Sequence, residues 1–336
     1  MKKALYGLKQ ALRGWYARLD HYLQQQGFKK RVVGSNLYIK TDEGKLLVTL
    51  VYVNDLIFAN NNDEMSHEFS QNMSKEFEMS MIGELYHFLG LQVSQTRAGL
   101  CISQTKYLKD MLKRYGMEDC APMSTPMTTN CKLSKDDDSP PVDATHYRSI
   151  IGALLYLTAT RPDIMQAVGM AGRFQSAPKQ SHLLAVKRIL RYLKGTPDFG
   201  LWYPKSSTLT VTAYIDVDWA GSIDDRKSTS GNAFFLGDCL VSWLNKKQSS
   251  ISLSIAETEY IAAADCCTQI LWMKEALKDV DICTDQLITI YCDNTSAISL
   301  NRNPVLHSRT KHIPINYHFL REQVAEQKHR LGIYQY

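Results

Sequence analysis

The stretch Leu46-Leu47-Val48-Thr49-Leu50-Val51-Tyr52-Val53-Asn54-Asp55-Leu56-Ile57-Phe58-Ala59 decides the reading of the fold. Two apolar runs rich in β-branched residues flank a polar pair, Asn54-Asp55, which predicts a β-hairpin with that pair at its turn. On the N-terminal side, Trp15 to Gln25 reads as a helix. On the C-terminal side, Met65, Phe69, Met73 and Phe77 repeat at helical spacing and predict a helix over Asp63 to Phe77. Helix and strand patterns thus mix, and an α/β (α+β) chain is expected.

With 336 residues there is room for two or three domains. A chain that is 44% hydrophobic and 22% charged is not of the disordered class. The net charge of +5 admits an anionic partner such as nucleic acid without requiring one. The first residues carry no apolar signal core, and the longest apolar run, Leu46 to Val53, is too short for a bilayer. No membrane partner is expected, and the setting is read as cytoplasmic or nuclear. None of the eight cysteines forms a C-x-x-C pair with downstream histidines, which argues against a zinc site and for reduced thiols.

Cys120 to Pro141 is a Pro/Ser/Thr-rich connector containing the acidic run Asp136-Asp137-Asp138, read as a solvated loop. Asp143 to Gly195 is expected to be helical. Its last helix sets Leu183, Val186, Leu190 and Leu193 on one face, with Lys187, Arg191 and Lys194 in a stripe beside them. That stripe fits a solvated face or a phosphate-tracking one. From Leu209 a strand ends at Asp216, and short strands follow at Ala233 to Leu236 and Leu240 to Trp243. A helix is expected over Glu257 to Lys278, a buried strand over Leu287 to Cys292 ending at Asp293, and a final helix over His318 to Lys328.

Asp216 and Asp293 both follow apolar strands, where α/β sheets gather functional groups. Glu257 and Glu259 open a helix, a position that acidic residues also favour as dipole partners. Two strand-end acids and one helix acid could converge on divalent metal, and hard oxygen ligands suit Mg²⁺ or Mn²⁺. Such a site suits phosphodiester cleavage.

The segments Ala213-Tyr214-Ile215-Asp216-Val217-Asp218-Trp219-Ala220-Gly221, Asp225-Arg226-Lys227-Ser228-Thr229-Ser230-Gly231, Lys246-Lys247-Gln248, Ala256-Glu257-Thr258-Glu259-Tyr260, Tyr291-Cys292-Asp293-Asn294 and His307-Ser308-Arg309-Thr310-Lys311-His312 resemble the ribonuclease H domain of copia-type LTR retrotransposons. The resemblance implies that Asp216, Glu259 and Asp293 are three of four metal-binding acids. Glu257 is the alternative to Glu259, Asp218 is an outer acid, and the fourth acid is expected past Tyr336. His307, Arg309, Lys311 and His312 form a basic cluster that fits phosphate contacts and equally fits surface charges before a helix with Pro314 near its start.

The resemblance extends over nearly the whole chain. Lys3 to Tyr16 is similar to a template- and nucleotide-contacting segment in which Lys9 and Gln10 are the polar contacts. Tyr52-Val53-Asn54-Asp55 is similar to the catalytic Tyr-Val-Asp-Asp hairpin of reverse transcriptases, with Asn54 in place of a metal-binding acid and Asp55 retained. Gly83 to Leu91 resembles the end of the palm and the primer-gripping strand, with Phe88 and Gly90 as contacts. Tyr147 to Thr196 resembles a thumb or connection region. The implied layout is a partial palm over 1–118, a connector and helical thumb over 119–205, and a ribonuclease H-like mixed sheet with flanking helices over 206–336. The fingers and the first catalytic strand are expected to be missing, which leaves room for pairing with another Pol-derived chain. The partners implied are RNA/DNA hybrid and primer-template, held partly by Lys187, Arg191, Lys194, Arg226 and Lys227. A different class of reading is a nucleic-acid-binding protein without catalysis, or an untranslated transposon relic.

Overall fold

The computed structural model describes residues 9–31, 34–129, 131–205, 208–282, 287–302, 315–325 and 329–333. These fall within two compact units, Met1–Glu84 with Leu271–Thr284, and Leu85–Ile270 with Asp285–Tyr336.

The first unit packs helix α1 (Lys9–Gln25) and helix α2 (Asp63–Glu76) with an antiparallel sheet in the order β1 (Lys29–Lys30), β2 (Leu37–Asp42), β3 (Lys45–Tyr52), β4 (Asp55–Asn60). Alternation in β3 buries Leu47, Thr49 and Val51. Leu47 and Val51 meet the helical stripe of Leu19 and Leu23 from α1 and Phe69 and Met73 from α2, so the period of 2 and the period of 3.6 face each other across one core. Asn62 caps α2 by accepting the Met65 N–H at 3.1 Å.

The hairpin forms, but its turn is not at Asn54-Asp55. Tyr52 pairs with Asp55, so Val53-Asn54 make the tip and Asp55 begins β4. This register extends the ladder to Leu47 opposite Asn60. The next residue, Asn61, then accepts the Leu46 N–H through its side chain at 2.7 Å. The tip leaves Val53 at a φ of +52°, an uncommon conformation for a β-branched residue.

The second unit contains two sheets and a helical cluster. One sheet runs β5 (His87–Phe88), β6 (Leu91–Gln95), β7 (Gly99–Ser103), β8 (Gly200–Pro204), all antiparallel. Between β7 and β8 lie helices α3 (Thr105–Arg114), α4 (Ala144–Leu157), α5 (Met165–Ala171) and α6 (Gln180–Gly195). They share a core in which Leu108, Tyr147, Leu154, Val168, Val186 and Leu193 are buried, and Leu183 packs against it half-buried. The apolar face expected for α6 is therefore the face that packs. Arg161 is 2% exposed. Its guanidinium donates to both Asp163 oxygens at 2.9 and 2.7 Å and to the Thr196 carbonyl at 2.8 Å, tying α6 to the turn after α4.

The other sheet has five strands, in the order β11 (Cys239–Lys247), β10 (Thr229–Leu236), β9 (Val211–Asp218), β12 (Ile288–Cys292), β13 (His329–Ile333). β9 to β11 are antiparallel, whereas β12 runs parallel to both β9 and β13. Helix α7 (Ile255–Asp279) precedes β12, α8 (Thr295–Arg302) follows it, and α9 (Phe319–Ala325) precedes β13. β9 continues two residues past the expected stop at Asp216, because its pairing with β10 reaches Asp218 opposite Thr229. The final helix begins as a 3-10 turn, Ile315–His318. Among the described residues no helix is long and apolar enough to cross a membrane.

Candidate active site

β9 and β12 are paired in parallel with Tyr214 opposite Tyr291, and the two rings stack 5.0 Å apart. Asp216 and Asp293 lie two residues beyond these tyrosines, so both carboxylates stand at the same end of the sheet. The third acid comes from α7. Its start is fixed by Ser254, whose Oγ accepts the Glu257 N–H at 3.2 Å, while the Glu257 carboxylate accepts the Leu253 N–H at 2.7 Å. This is nearly the reciprocal S-x-x-E capping arrangement. Glu257 is therefore engaged at the helix start, and Glu259, about 200° further round the helix, turns to the strand ends.

Glu259 is 2% exposed. One ligand atom each from Glu259, Cys292 and Asp293 lie within 4.8 Å of one another. Asp216 stands outside this tight set but acts on it through space. Burial, followed by the negative charges of Asp293 and Asp216, pushes the Glu259 carboxyl up to about 7. Burial likewise pushes the Cys292 thiol up to about 12. Among the described residues no lysine, arginine or histidine forms an ion pair with Glu259. A buried carboxylate whose charged neighbours are carboxylates calls for a cation, and the oxygen donors of Glu259, Asp293 and Asp216 fit a hard divalent ion. Asp218 is also raised, by burial and by Asp216, with Arg173 opposing.

A buried polar network holds α7 against β10 and β11. Gln248 Nε2 donates to Ser230 Oγ at 2.9 Å and to the Thr258 carbonyl at 3.0 Å, and Ser252 Oγ donates to Gln248 Oε1 at 3.3 Å. Ser228 Oγ accepts the Ala220 N–H at 3.0 Å. The Ser/Thr and Gln positions of the sequence motifs thus brace the element that presents Glu259. Gly221 sits where a Cβ would meet the Asp218 carboxylate, so a larger residue there would push that acid aside.

The hairpin residues belong to the first unit. Asn54 occupies the exposed tip and Asp55 the exposed first position of β4. Lys9 and Gln10 lie in the first turn of α1, and their side chains fall outside the described residues. Lys3 to Leu8 and the basic cluster His307, Arg309, Lys311 and His312 also lie outside them.

In the second unit Phe88 is half-buried, and Leu89-Gly90 form the β5–β6 turn with φ of +50° and +77°. The Tyr156 hydroxyl donates to the Leu89 carbonyl, and a Cβ on Gly90 would lie 2.0 Å from that hydroxyl. The positive φ is what favours glycine here, and the Tyr156 hydroxyl from α4 crowds the same spot. Lys187 and Lys194 are exposed on α6, whereas Arg191 Nε donates to the Ala121 carbonyl at 2.7 Å and is partly committed to holding the connector. Arg226 is exposed at a φ of +55° in the loop before β10, beside half-buried Lys227.

Sequence reasoning did not single out Cys292 as a neighbour of the acids, since it reads as a core residue of a buried strand. Arg173, near Asp218, was also missed, and no local signal announces it. Glu257 could have been assigned to capping from Ser254-x-x-Glu257 alone.

Residues 1–129 match the family described as "Reverse transcriptase (RNA-dependent DNA polymerase)". The chain is 42% identical over 324 residues to the retrovirus-related Pol polyprotein from transposon RE1 of Arabidopsis thaliana, which covers 96% of this chain and 22% of the relative. It is also 40% identical over 223 residues to an uncharacterized mitochondrial protein of Arabidopsis thaliana, covering 66% of this chain and 92% of that protein. The chain belongs to the copia-type retrotransposon Pol family. A further Pol polyprotein, from transposon TNT 1-94 of Nicotiana tabacum, is 36% identical over 337 residues, covering 97% of this chain and 25% of the relative. The chain thus spans about a quarter or less of these Pol polyproteins. Within the Pol family, residues 1–129 are its reverse transcriptase part, and the five-stranded sheet lies beyond that match.

Proposed function

We propose that the acidic centre of Asp216, Glu259 and Asp293 is a ribonuclease H site that cleaves the RNA strand of RNA/DNA hybrids, and that the hairpin belongs to an RNA-directed DNA polymerase region that no longer polymerises. The convergence of buried Glu259 and exposed Asp293 beside exposed Asp216, with no ion-paired cation on Glu259 among the described residues, carries this reading. The sheet order, three antiparallel strands followed by two parallel ones, supports it. The organisation proposed with it is a partial palm over 1–118, a connector and thumb over 119–205, and a ribonuclease H-like domain over 206–336.

Asp216, Glu259 and Asp293 would hold Mg²⁺ or Mn²⁺, which supplies water activation and charge stabilisation on the leaving oxygen. The chain's own contribution is rigidity. Glu259 is held by the braced start of α7, and Asp216 and Asp293 are held at one level by strand pairing, so the ligands need little reorganisation on binding. Exposed Lys187 and Lys194, with Arg226, would track phosphates of the hybrid or of a primer-template.

The same logic argues against polymerisation. An amide at Asn54 brings no negative charge against triphosphate repulsion, a loss on the order of 10³-fold in rate. Asp55 is a single carboxylate at the start of β4. RNA-templated nucleotide incorporation that Asp55→Ala abolishes would overturn this half of the reading.

The test of the nuclease is cleavage of a labelled RNA/DNA hybrid by the full chain in Mg²⁺ and then Mn²⁺, beside Asp293→Asn. Cleavage that disappears in the variant is expected. A folded chain that cuts nothing in either metal would refute the proposal.

A further inference from the structure

The chemistry of Cys292 goes beyond a hard-metal site. Its sulfur lies 3.8 Å from Glu259 Oε2, and both atoms belong to the set that shares a 4.8 Å neighbourhood with Asp293. Ligands bound to one tetrahedral ion at roughly 2.0 Å for oxygen and 2.3 Å for sulfur stand about 3.5 Å apart. The sulfur–Glu259 pair therefore needs only a few tenths of an ångström of closure, and any pair at the 4.8 Å limit of the set needs side-chain rotation of exposed Asp293 to close by about an ångström. The sulfur also accepts the Asn294 N–H at 3.4 Å, a backbone donor that supports negative charge on sulfur in metal thiolates. On its other side is Glu259, a buried carboxylate whose charged neighbours are Asp293 and Asp216.

We propose that Glu259, Cys292 and Asp293 form a mixed thiolate–carboxylate site that takes a thiophilic divalent cation of the zinc–cadmium class in competition with magnesium. Two oxygens and one sulfur make three of the four ligands of a tetrahedral ion, and water completes the shell. A soft ligand favours such ions over Mg²⁺, which takes oxygen in octahedral geometry. Because Glu259 and Asp293 are shared, the thiophilic ion occupies the proposed nuclease site and blocks it. This inference rests on the reading of the acidic centre as a metal site. It needs no C-x-x-C spacing, because its ligands come from α7 and from the end of β12.

The test is titration of the reduced, metal-free full chain with Cd²⁺, following the ultraviolet cadmium–thiolate absorbance, with and without excess Mg²⁺. Mn²⁺ binding is measured in parallel by its electron paramagnetic resonance signal. The wild type is expected to show a thiolate band that Mg²⁺ competes away. Cys292→Ser should weaken Cd²⁺ at least about tenfold while Mn²⁺ binding persists. Glu259→Gln should weaken both ions. Cys292→Ala is the alternative variant if the serine does not fold, as judged by circular dichroism. If the wild type and the folded Cys292 variants bind Cd²⁺ alike while Mn²⁺ binds normally, this inference falls and the metal-centre reading stands. If Mn²⁺ does not bind the wild type, both fall.

Discussion

Replacing Glu259 with glutamine should stabilise the metal-free second unit at alkaline pH while removing its affinity for divalent metal. Glu259 is raised from its ordinary 4.5 to about 7 by burial and by two neighbouring carboxylates. Below 4.5 the acid is protonated folded and unfolded, and there is no penalty. Between 4.5 and 7 the folded state holds the proton more tightly, so stability falls as pH rises. Above 7 the ionised acid costs the fold roughly 3 kcal/mol. Glutamine cannot ionise, so Glu259→Gln should abolish this slope and be more stable at pH 8 by about that amount. The assay is hydrogen exchange of β9 and β12 amides from pH 4 to 8.5, corrected for intrinsic rates, which reports on this unit without assuming a single all-or-none transition. Adding Mg²⁺ at pH 8 should restore protection to the wild type and leave Glu259→Gln unchanged. Equal pH slopes in the two proteins would refute the picture of a crowded, buried carboxylate.

Gly90→Ala places a Cβ against the Tyr156 hydroxyl at a positive φ and should cost about 1–3 kcal/mol, measured by urea unfolding. Adding Tyr156→Phe should recover part of that loss, and additive costs would show that the two do not touch. Arg161→Met removes a buried guanidinium from Asp163, which stays solvent-accessible and keeps the Tyr192 hydroxyl, and from the Thr196 carbonyl, and should cost about 1–3 kcal/mol in the same assay. Val53→Gly relieves a β-branched residue at a φ of +52° and should raise the urea midpoint, by about 1 kcal/mol in stability.

Local pattern carried much of this fold. Phe69 and Met73 in α2, and Val186, Leu190 and Leu193 in α6, repeat at the helical period and are buried as that period demands. Reading failed where structure depends on distant partners. Gly200 to Pro204 carries no local sign that it will join β7, and His329 to Ile333 carries none of a strand because only β12 gives it a ladder to complete. The hairpin was legible but its turn was not, since both registers keep the same side chains inward. In the acidic centre, residue types and strand ends were visible in the sequence. The choice of Glu259 over Glu257 was open because the rotation of α7 is set by its cap.

The closing of the β5–β8 sheet has a consequence for synthesis. β7 ends at Ser103 and its edge partner β8 begins at Gly200, so α3 to α6 must leave the ribosome before that edge is covered. At ordinary elongation rates the wait is on the order of 10 s. During that interval an unpaired strand edge is open to any other strand, and a nascent chain paused inside the helical cluster would present it longest. Translation speed across residues 104–199 is therefore part of what keeps this protein from joining its neighbours on a polysome.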